Sequence, residues 1–324
     1  MTAAVIVDAA GAHMGGAARY LGELRQYLLR TGREDVKVIG SGRRLGAAWL
    51  LSRELTGHAR SDRGRRVALN NVGFVAPGPQ RWTLLRNALH FLTEDEESQL
   101  DPPLRASIRR DARVVRLAAR RSHVLIAPST AMAQRVTRAL PDLSGRLVVR
   151  PHPVSADSIP CLPREPAILC PVLFAPYKRM EERLAELLAA LDSHADPCIR
   201  LRVTATEAEV RPTVARHPRV QLVGHRDHRE LRLMQARSRA LYFPSGLESF
   251  GYPLAEARVS GQPVIARDTA QNAEIAGPAL CGFTLGDAGS LRRALGRALT
   301  LEVAPDPAPF DPGTYFGWLL GPAR

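Results

Sequence analysis

Two glutamates eight positions apart, Glu248 and Glu256, have the type and spacing to work together, in the stretch Glu248-Ser249-Phe250-Gly251-Tyr252-Pro253-Leu254-Ala255-Glu256. A carboxylate accepts several hydrogen bonds, so each glutamate can grip adjacent hydroxyl groups. Gly251 lets the backbone come close to a ligand, and the free amides at a helix start, with the positive end of its dipole, suit a diphosphate. On this reading Glu256, one turn into the helix, meets vicinal hydroxyls of the kind a ribose presents. Glu248, on the loop, lies nearer whatever the phosphates carry. The same spacing also fits a blander pair, in which Glu248 stabilises a helix dipole and Glu256 is a solvated side chain.

Lysine is nearly missing from this arginine-rich chain; only Lys37 and Lys178 occur. A compact ammonium serves at a crowded site where a planar guanidinium does not fit. Lys178, in Tyr177-Lys178-Arg179, is therefore a further candidate for chemistry.

The elements that must carry these residues follow from the hydrophobic pattern. A short apolar strand, Ala3 to Val7, leads through the glycine-bearing loop Ala10 to Gly16 into a helical pattern with Tyr20, Leu21, Leu24, Tyr27 and Leu28 on one face. Apolar runs at Val36 to Ile39, Val67 to Leu69, Val124 to Ala127 and Leu147 to Val149 predict strands. Helical stretches are expected around Trp82 to Leu92, Ile108 to Ala119 and Ala131 to Leu140. A proline-rich segment containing Pro160, Pro163 and Pro166 reads as a linker, after which the alternation resumes. Strands are predicted at Val172 to Phe174, Leu201 to Thr204, Val220 to Val223, Ala240 to Phe243 and Val264 to Ala266. Helices are predicted at Glu181 to Leu191, Arg229 to Ala236, from Pro253 to Ser260, and at Ser290 to Leu301. Strand and helix in alternation imply parallel sheets covered by helices. Ligands of such sheets bind where strands end and loops enter helices, which is where the loop from Pro244 to Gly251 falls.

Length and composition bound the answer. A chain of 324 residues, 45% hydrophobic and 24% charged, is in the globular range and suggests two domains. No apolar run reaches the roughly 18 residues of a membrane span, so a cytoplasmic protein is expected. Cys161, Cys170, Cys198 and Cys281 form no C-x-x-C pair, which fits a reducing compartment and speaks against structural zinc. The net charge of +13 comes largely from the first half, notably Arg60 to Arg66 and Arg105 to Arg121, and attracts phosphate in any form. An aromatic content of 5% and the lack of finger or RNA-binding motifs argue against nucleic acid. A solvated basic face, an anionic membrane surface and a phosphorylated substrate stay open. The acidic run Glu94-Asp95-Glu96-Glu97 reads as solvated rather than metal-binding.

The stretch from Pro244 to Ala257 resembles the Glu-x7-Glu segment of the family 4 glycosyltransferases, and Gly261-Gln262-Pro263-Val264-Ile265-Ala266 resembles that family's following turn and strand. Outlying pieces agree in order. Gly15-Gly16-Ala17-Ala18-Arg19-Tyr20 is similar to the family's glycine loop, Pro128-Ser129 to the end of its first domain, Tyr177-Lys178-Arg179 to its basic phosphate site, and Gly224-His225 to its next strand exit. The resemblance implies an α/β chain of GT-B architecture, two Rossmann-like domains facing each other across a cleft. Residues 1–157 would form the acceptor-binding domain and residues 158–304 the nucleotide-sugar-binding domain. Residues 305–324 would be a tail crossing back to the first domain through Tyr315, Phe316 and Trp318.

Roles follow only where positions match. Glu256 would bind the ribose hydroxyls and Glu248 the donor sugar. Ser249, Phe250, Gly251 and Tyr252 would line the sugar and phosphates, and Lys178 with Arg179 would neutralise the leaving diphosphate. Gly15 and Gly16 would close on the phosphates, and Gly224 would line the donor site. A first-domain histidine, His90 or its competitor His13, would face the donor sugar. The activity implied is retaining transfer of a hexose from a nucleoside-diphosphate sugar to a hydroxyl of a sugar, aminocyclitol, natural product or lipid-linked glycan, with no metal and no other cofactor. A non-catalytic nucleotide-sugar or glycan-binding protein, or another GT-B enzyme such as a nucleotide-sugar epimerase, is the alternative. One departure stands out: the family usually places an arginine several residues before its lysine, and here that neighbourhood is Pro171-Val172-Leu173-Phe174.

Overall fold

The computed structural model describes residues 5–13, 15–55, 64–78, 80–156, 162–172 and 174–322. Cys161, Arg60 and the expected boundary at 157/158 lie outside the described residues. The chain divides into two compact units, Met1–Pro153 with Phe310–Arg324, and Val154–Pro309.

The first unit runs β1 (Val5–Asp8), α1 (Gly15–Thr31), β2 (Val36–Ile39), α2 (Ala47–Leu55), β3 (Arg65–Ala68), β4 (Gln80–Leu84), α3 (Glu94–Ser98), α4 (Pro102–Ala119), β5 (Val124–Ala127), α5 (Thr130–Ala139) and β6 (Leu147–Val149). Its six strands are parallel in the order β2-β1-β3-β4-β5-β6. The order reverses between β1 and β3, so the crevice at their carboxyl ends is this sheet's switch point. The helix expected from Trp82 to Leu92 is instead β4, followed by a 3-10 turn at Ala88–Phe91. Trp82 and Thr83 pair with strands on both sides, and the buried Thr83 hydroxyl meets that of Ser122 at 2.8 Å. A short apolar run carries no reliable period, and the open sheet position between β3 and β5 decides it.

The second unit runs β7 (Glu165–Cys170), α6 (Met180–Asp192), β8 (Arg200–Val203), α7 (Pro212–Ala215), β9 (Val220–Leu222), α8 (His228–Arg237), β10 (Ser238–Phe243), α9 (Tyr252–Val259), β11 (Val264–Arg267), α10 (Ala270–Ala276), β12 (Leu280–Phe283) and α11 (Ala288–Thr300). Its parallel order, β12-β11-β10-β7-β8-β9, is the doubly wound dinucleotide-fold order, with the switch point between β7 and β10. On one face Leu184, Leu187, Leu191, Leu291 and Leu295 of α6 and α11 pack on Ile168, Leu201, Tyr242 and Ile265. Being buried through most of their length, the central strands β10 and β11 read as nearly continuous apolar runs. The first strand is Glu165–Cys170, not Val172 to Phe174: Ala167 to Cys170 are fully enclosed, whereas the Val172 amide already turns away to the Thr204 hydroxyl at 2.8 Å.

A last helix, α12 (Pro312–Leu320), packs on α1 within the first unit. Tyr315 and Phe316 meet the Tyr20 ring edge-on, Trp318 lies 5.0 Å from Trp82, and the Arg65 guanidinium donates to the Trp318 carbonyl at 2.9 Å. The stretch before it stays with the second unit, tied by the Arg258–Asp306 ion pair at 2.7 Å. A Cβ at Gly261 would come within 2.4 Å of the Val303 carbonyl, so that turn admits only glycine.

Candidate functional site

At the carboxyl end of β7 the chain makes a 3-10 turn, Pro176–Lys178, closed by the Lys178 amide on the Ala175 carbonyl at 2.9 Å. Arg179 then adopts the left-handed conformation, φ +48°, which few non-glycine residues do, and caps the start of α6. This reversal aims Lys178 across the switch point. On the other side of it, β10 ends at Phe243 and the loop Pro244–Gly251 leads into α9. Lys178 Nζ donates to Glu248 Oε1 at 2.7 Å, with both side chains partly open to solvent. Two residues seventy positions apart in sequence thus meet where the doubly wound sheet changes direction.

The loop carrying Glu248 is held from behind. Gln271 Nε2 donates to the Phe250 carbonyl at 3.3 Å, and Asn272 Nδ2 to the Ser245 carbonyl at 3.5 Å. Gly251 has φ +84°, and a Cβ there would press on Leu254 at 3.0 Å, so both backbone and space call for glycine. Pro253, in the first turn of α9, removes one amide that the turn would leave unpaired. The Phe250 and Tyr252 rings are buried, edge-to-face at 5.1 Å, and anchor the helix start. Ser249 is half-buried. Glu256 is only 2% exposed, which removes the reading of it as a solvated surface acid. Glu248 spends its charge on Lys178, which removes its reading as a mere helix-dipole residue.

Other predicted residues are differently placed. Arg179 is exposed and forms a two-pronged pair with Glu182, at 2.9 and 2.7 Å. Gly224, φ +68°, ends β9 at the sheet edge, with β8 between it and β7. In the first unit, Gly15 and Gly16 open α1 beyond β1, Gly15 with φ +54° in open space. His13 is exposed on the turn before them. His90 sits in the turn after β4; burial first of all pulls its pKa down to about 4, so it is neutral near pH 7. The acidic run of α3 is absorbed locally: Glu96 caps Thr93 and pairs with Arg135 at 2.6 Å, and Glu97 pairs with Arg109 at 2.7 Å.

Two features lay outside the sequence reading. One is Arg267 at the end of β11, whose guanidinium lies against Gly246 of the Glu248 loop. The other is a buried network at the first unit's switch point. Asp8 Oδ2 accepts from Arg53 at 2.7 Å and Asn70 at 2.9 Å; Oδ1 accepts from the Ala10 amide at 3.0 Å and Trp49 at 3.1 Å. A charged residue closing a buried apolar strand, as Asp8 and Arg267 both do, was the signal available in sequence.

A family model described as "Glycosyl transferases group 1" matches residues 216–304, the span holding the Glu248 loop, α9 and the two strands and two helices beyond. Over that span the chain is similar to the group 1 glycosyltransferases. No curated protein matches the chain significantly. Solved structures of similar fold include sucrose-phosphate synthase from Thermosynechococcus elongatus, at 16% identity and TM-score 0.63 over 98% of this chain and 94% of that one. WaaG, a glycosyltransferase involved in lipopolysaccharide biosynthesis, is similar at 15% identity and TM-score 0.63 over 92% and 90%. A UDP-forming trehalose-phosphate synthase from Burkholderia vietnamiensis is similar at 12% identity and TM-score 0.63 over 97% and 95%. The fold is therefore GT-B, and the Lys178–Glu248 pair is built on the second of its two Rossmann-like units. Among the described residues no helix is long and apolar enough to cross a membrane.

Proposed function

We propose that this glycosyltransferase moves a hexose from a nucleoside-diphosphate sugar to an acceptor hydroxyl with retention of anomeric configuration. The Lys178–Glu248 pair at the switch point of the second unit carries the reading. Charge grows on the leaving diphosphate as the glycosidic bond breaks, and an ammonium already in position stabilises that charge without reorganising. Glu248 holds Lys178 before the donor arrives and accepts from hydroxyls of the donor sugar when it does. Glu256, buried one turn further on, takes the ribose hydroxyls, and the backbone around Ser249, Phe250, Gly251 and Tyr252 lines the sugar and phosphates. The bond from the anomeric carbon to the phosphate oxygen breaks, the bond to the acceptor oxygen forms on the same face, and the acceptor proton passes to the departing phosphate oxygen. This course needs no carboxylate nucleophile, unlike a retaining glycosidase with its two carboxyl groups about 5 Å apart. Charge neutralisation falls to Lys178 and helix amides rather than to a divalent cation.

Arg179 is left out of the set, since Glu182 already holds its guanidinium. The acceptor belongs to the first unit, where Gly15, Gly16 and His90 are the residues to test, and its arginine-rich α4 favours an anionic acceptor or one presented at a membrane surface. Titration calorimetry with UDP, GDP and dTDP tests the donor assignment. UDP comes first because similar folds include a UDP-forming enzyme. Micromolar to submillimolar binding of one of the three is expected, followed by transfer from its hexose conjugate; failure of all three to bind removes this reading.

A further inference from the structure

Strand β11 ends on Arg267, after three fully buried apolar residues. Its backbone is fixed beside the Glu248 loop, because Asn272 Nδ2 donates to the Arg267 carbonyl at 2.9 Å and also reaches the Ser245 carbonyl. The side chain then lies across Gly246. A Cβ built at Gly246 would come within 1.7 Å of Arg267 Nη1 and 2.5 Å of its Cζ. Gly246 is not among the glycines with positive φ, so it is the guanidinium, not the backbone, that excludes a side chain there. Among the described residues no carboxylate pairs with this half-buried cation. Burial pulls its pKa down, and the charge acting on it, Arg183, is positive and pushes the same way. A guanidinium partly taken from water and given no counter-ion is unfavourable until an anion completes it.

The sheet order says where that anion belongs. β10 lies between β7 and β11, so its loop is flanked by Lys178 from the β7 side, at Glu248, and by Arg267 from the β11 side, at Gly246. Glu248 offsets the charge of Lys178, while among the described residues no carboxylate pairs with Arg267. Arg179, the sequence candidate for a second cation, is exposed and paired with Glu182. We propose that Arg267 is the second phosphate-binding cation of this site, holding the nucleoside-diphosphate donor through its diphosphate oxygens, and that Gly246 is glycine to make room for it. The planar fork of an arginine suits two phosphate oxygens at once. The proposal rests on the donor reading above, and its test separates the two.

Calorimetric titration of the full chain with UDP, GDP, dTDP and inorganic pyrophosphate comes first on the wild-type protein. Binding of none of them overturns the donor reading itself. Where the wild type binds, Arg267→Gln is expected to weaken diphosphate binding about tenfold or more, the scale of a lost charge-assisted hydrogen bond. The loss should be larger for the diphosphate than for the corresponding monophosphate, and Arg267→Lys should restore part of it. Wild-type affinity in Arg267→Gln overturns the assignment. Gly246→Ala, which drives the guanidinium aside, should weaken binding in the wild-type background and add nothing in the Arg267→Gln background. Equal weakening in both backgrounds overturns the link between the two residues. A thermal melt of each variant confirms that it is folded.

Discussion

Both units place an acid–base pair 2.7 Å apart at the switch point of a parallel sheet, Asp8–Arg53 in the first and Lys178–Glu248 in the second. The first pair is sealed, at 0% and 1% exposure, and close to saturated: Asp8 accepts four hydrogen bonds, and Arg53 also donates to Glu54 and to the carbonyls of Val72 and Gly73, with only its Nε left without an acceptor among the described residues. The Arg53 guanidinium is stacked over Phe74 as well, 4.3 Å from the ring centre. The second pair is 11% and 20% exposed, and among the described residues each partner has one hydrogen bond, to the other. An ammonium has three donors and a carboxylate about four acceptor sites, so most of their capacity is unspent. Position in the fold is therefore shared, and saturation separates structure from site. A saturated pair holds strands together, and an unsaturated one is ready for a ligand.

Breaking the sealed pair should give the largest effect. In Asp8→Asn, whichever way the amide turns, its NH2 faces groups that already donate, and Arg53 is left buried with only the partly open Glu54 as counter-charge. A loss of ~3–5 kcal/mol is expected, read from the urea midpoint with the slope held constant; an unchanged midpoint would show that the network carries no stability. Lys178→Ala should do the reverse. Its stability should change by less than about 1 kcal/mol, as for a partly open pair, while the transfer rate falls about 10²- to 10³-fold, the scale for one preorganised charge stabiliser. If Lys178→Ala unfolds the protein as Asp8→Asn does, the contrast between the pairs disappears.

The loop that carries the open pair was legible in sequence and the sealed pair was not, for a physical reason. The β10 to α9 unit announces itself locally: a continuous apolar strand, then Gly251, Pro253 and Gly261 at the positions where only their backbone properties fit. Helix α2 announces nothing. It buries Arg53 and leaves Leu51 and Leu55 exposed, inverting the pattern on which a helix is read from sequence. Its partner Asp8 gives sense to that inversion only after β1, β3 and α2 have come together in space. β4 failed for a related reason, since a buried run of four or five residues takes its identity from neighbouring strands. Arg267 depends on the crossing of β11 with the loop of another strand, a contact that no spacing encodes. The role of Glu248 came from resemblance, and its partner Lys178 was named without any means of knowing that the two touch.

The sealed character of the first unit also has a pH signature. Burial holds His90 near pKa 4, with Asp111 opposing and Arg116 reinforcing, against an ordinary value of 6.5. Above pH 6.5 the folded and unfolded chains are both neutral there. Between pH 6.5 and about 4 the unfolded chain binds a proton that the folded one refuses, so stability falls as pH falls, by on the order of 3 kcal/mol at the bottom of that window. His152, fully buried and also lowered by burial first and then by Arg86, acts in the same sense. His90→Gln should therefore flatten the stability profile between pH 6.5 and 4 without abolishing its slope. An unaltered profile would mean that His90 is open to water in the folded protein.

The smallest effect is expected at Arg179, and it sharpens the meaning of saturation. Arg179 sits next to Lys178 in sequence and resembles a phosphate ligand by position, yet both prongs of its guanidinium are taken by Glu182 in a pair more than half exposed. Such a pair contributes little, since water and salt screen it. Arg179→Ala should leave the melting profile and the affinity for nucleoside diphosphate within about twofold of wild type, while the same titration on Lys178→Ala shows a clear loss. Should Arg179→Ala weaken the diphosphate tenfold, Glu182 would have to release Arg179 when the donor binds. A pair of exposed side chains would then count as unsaturated however complete its hydrogen bonds look without ligand, and burial, rather than bond count alone, would be what marks the Asp8–Arg53 network as structural.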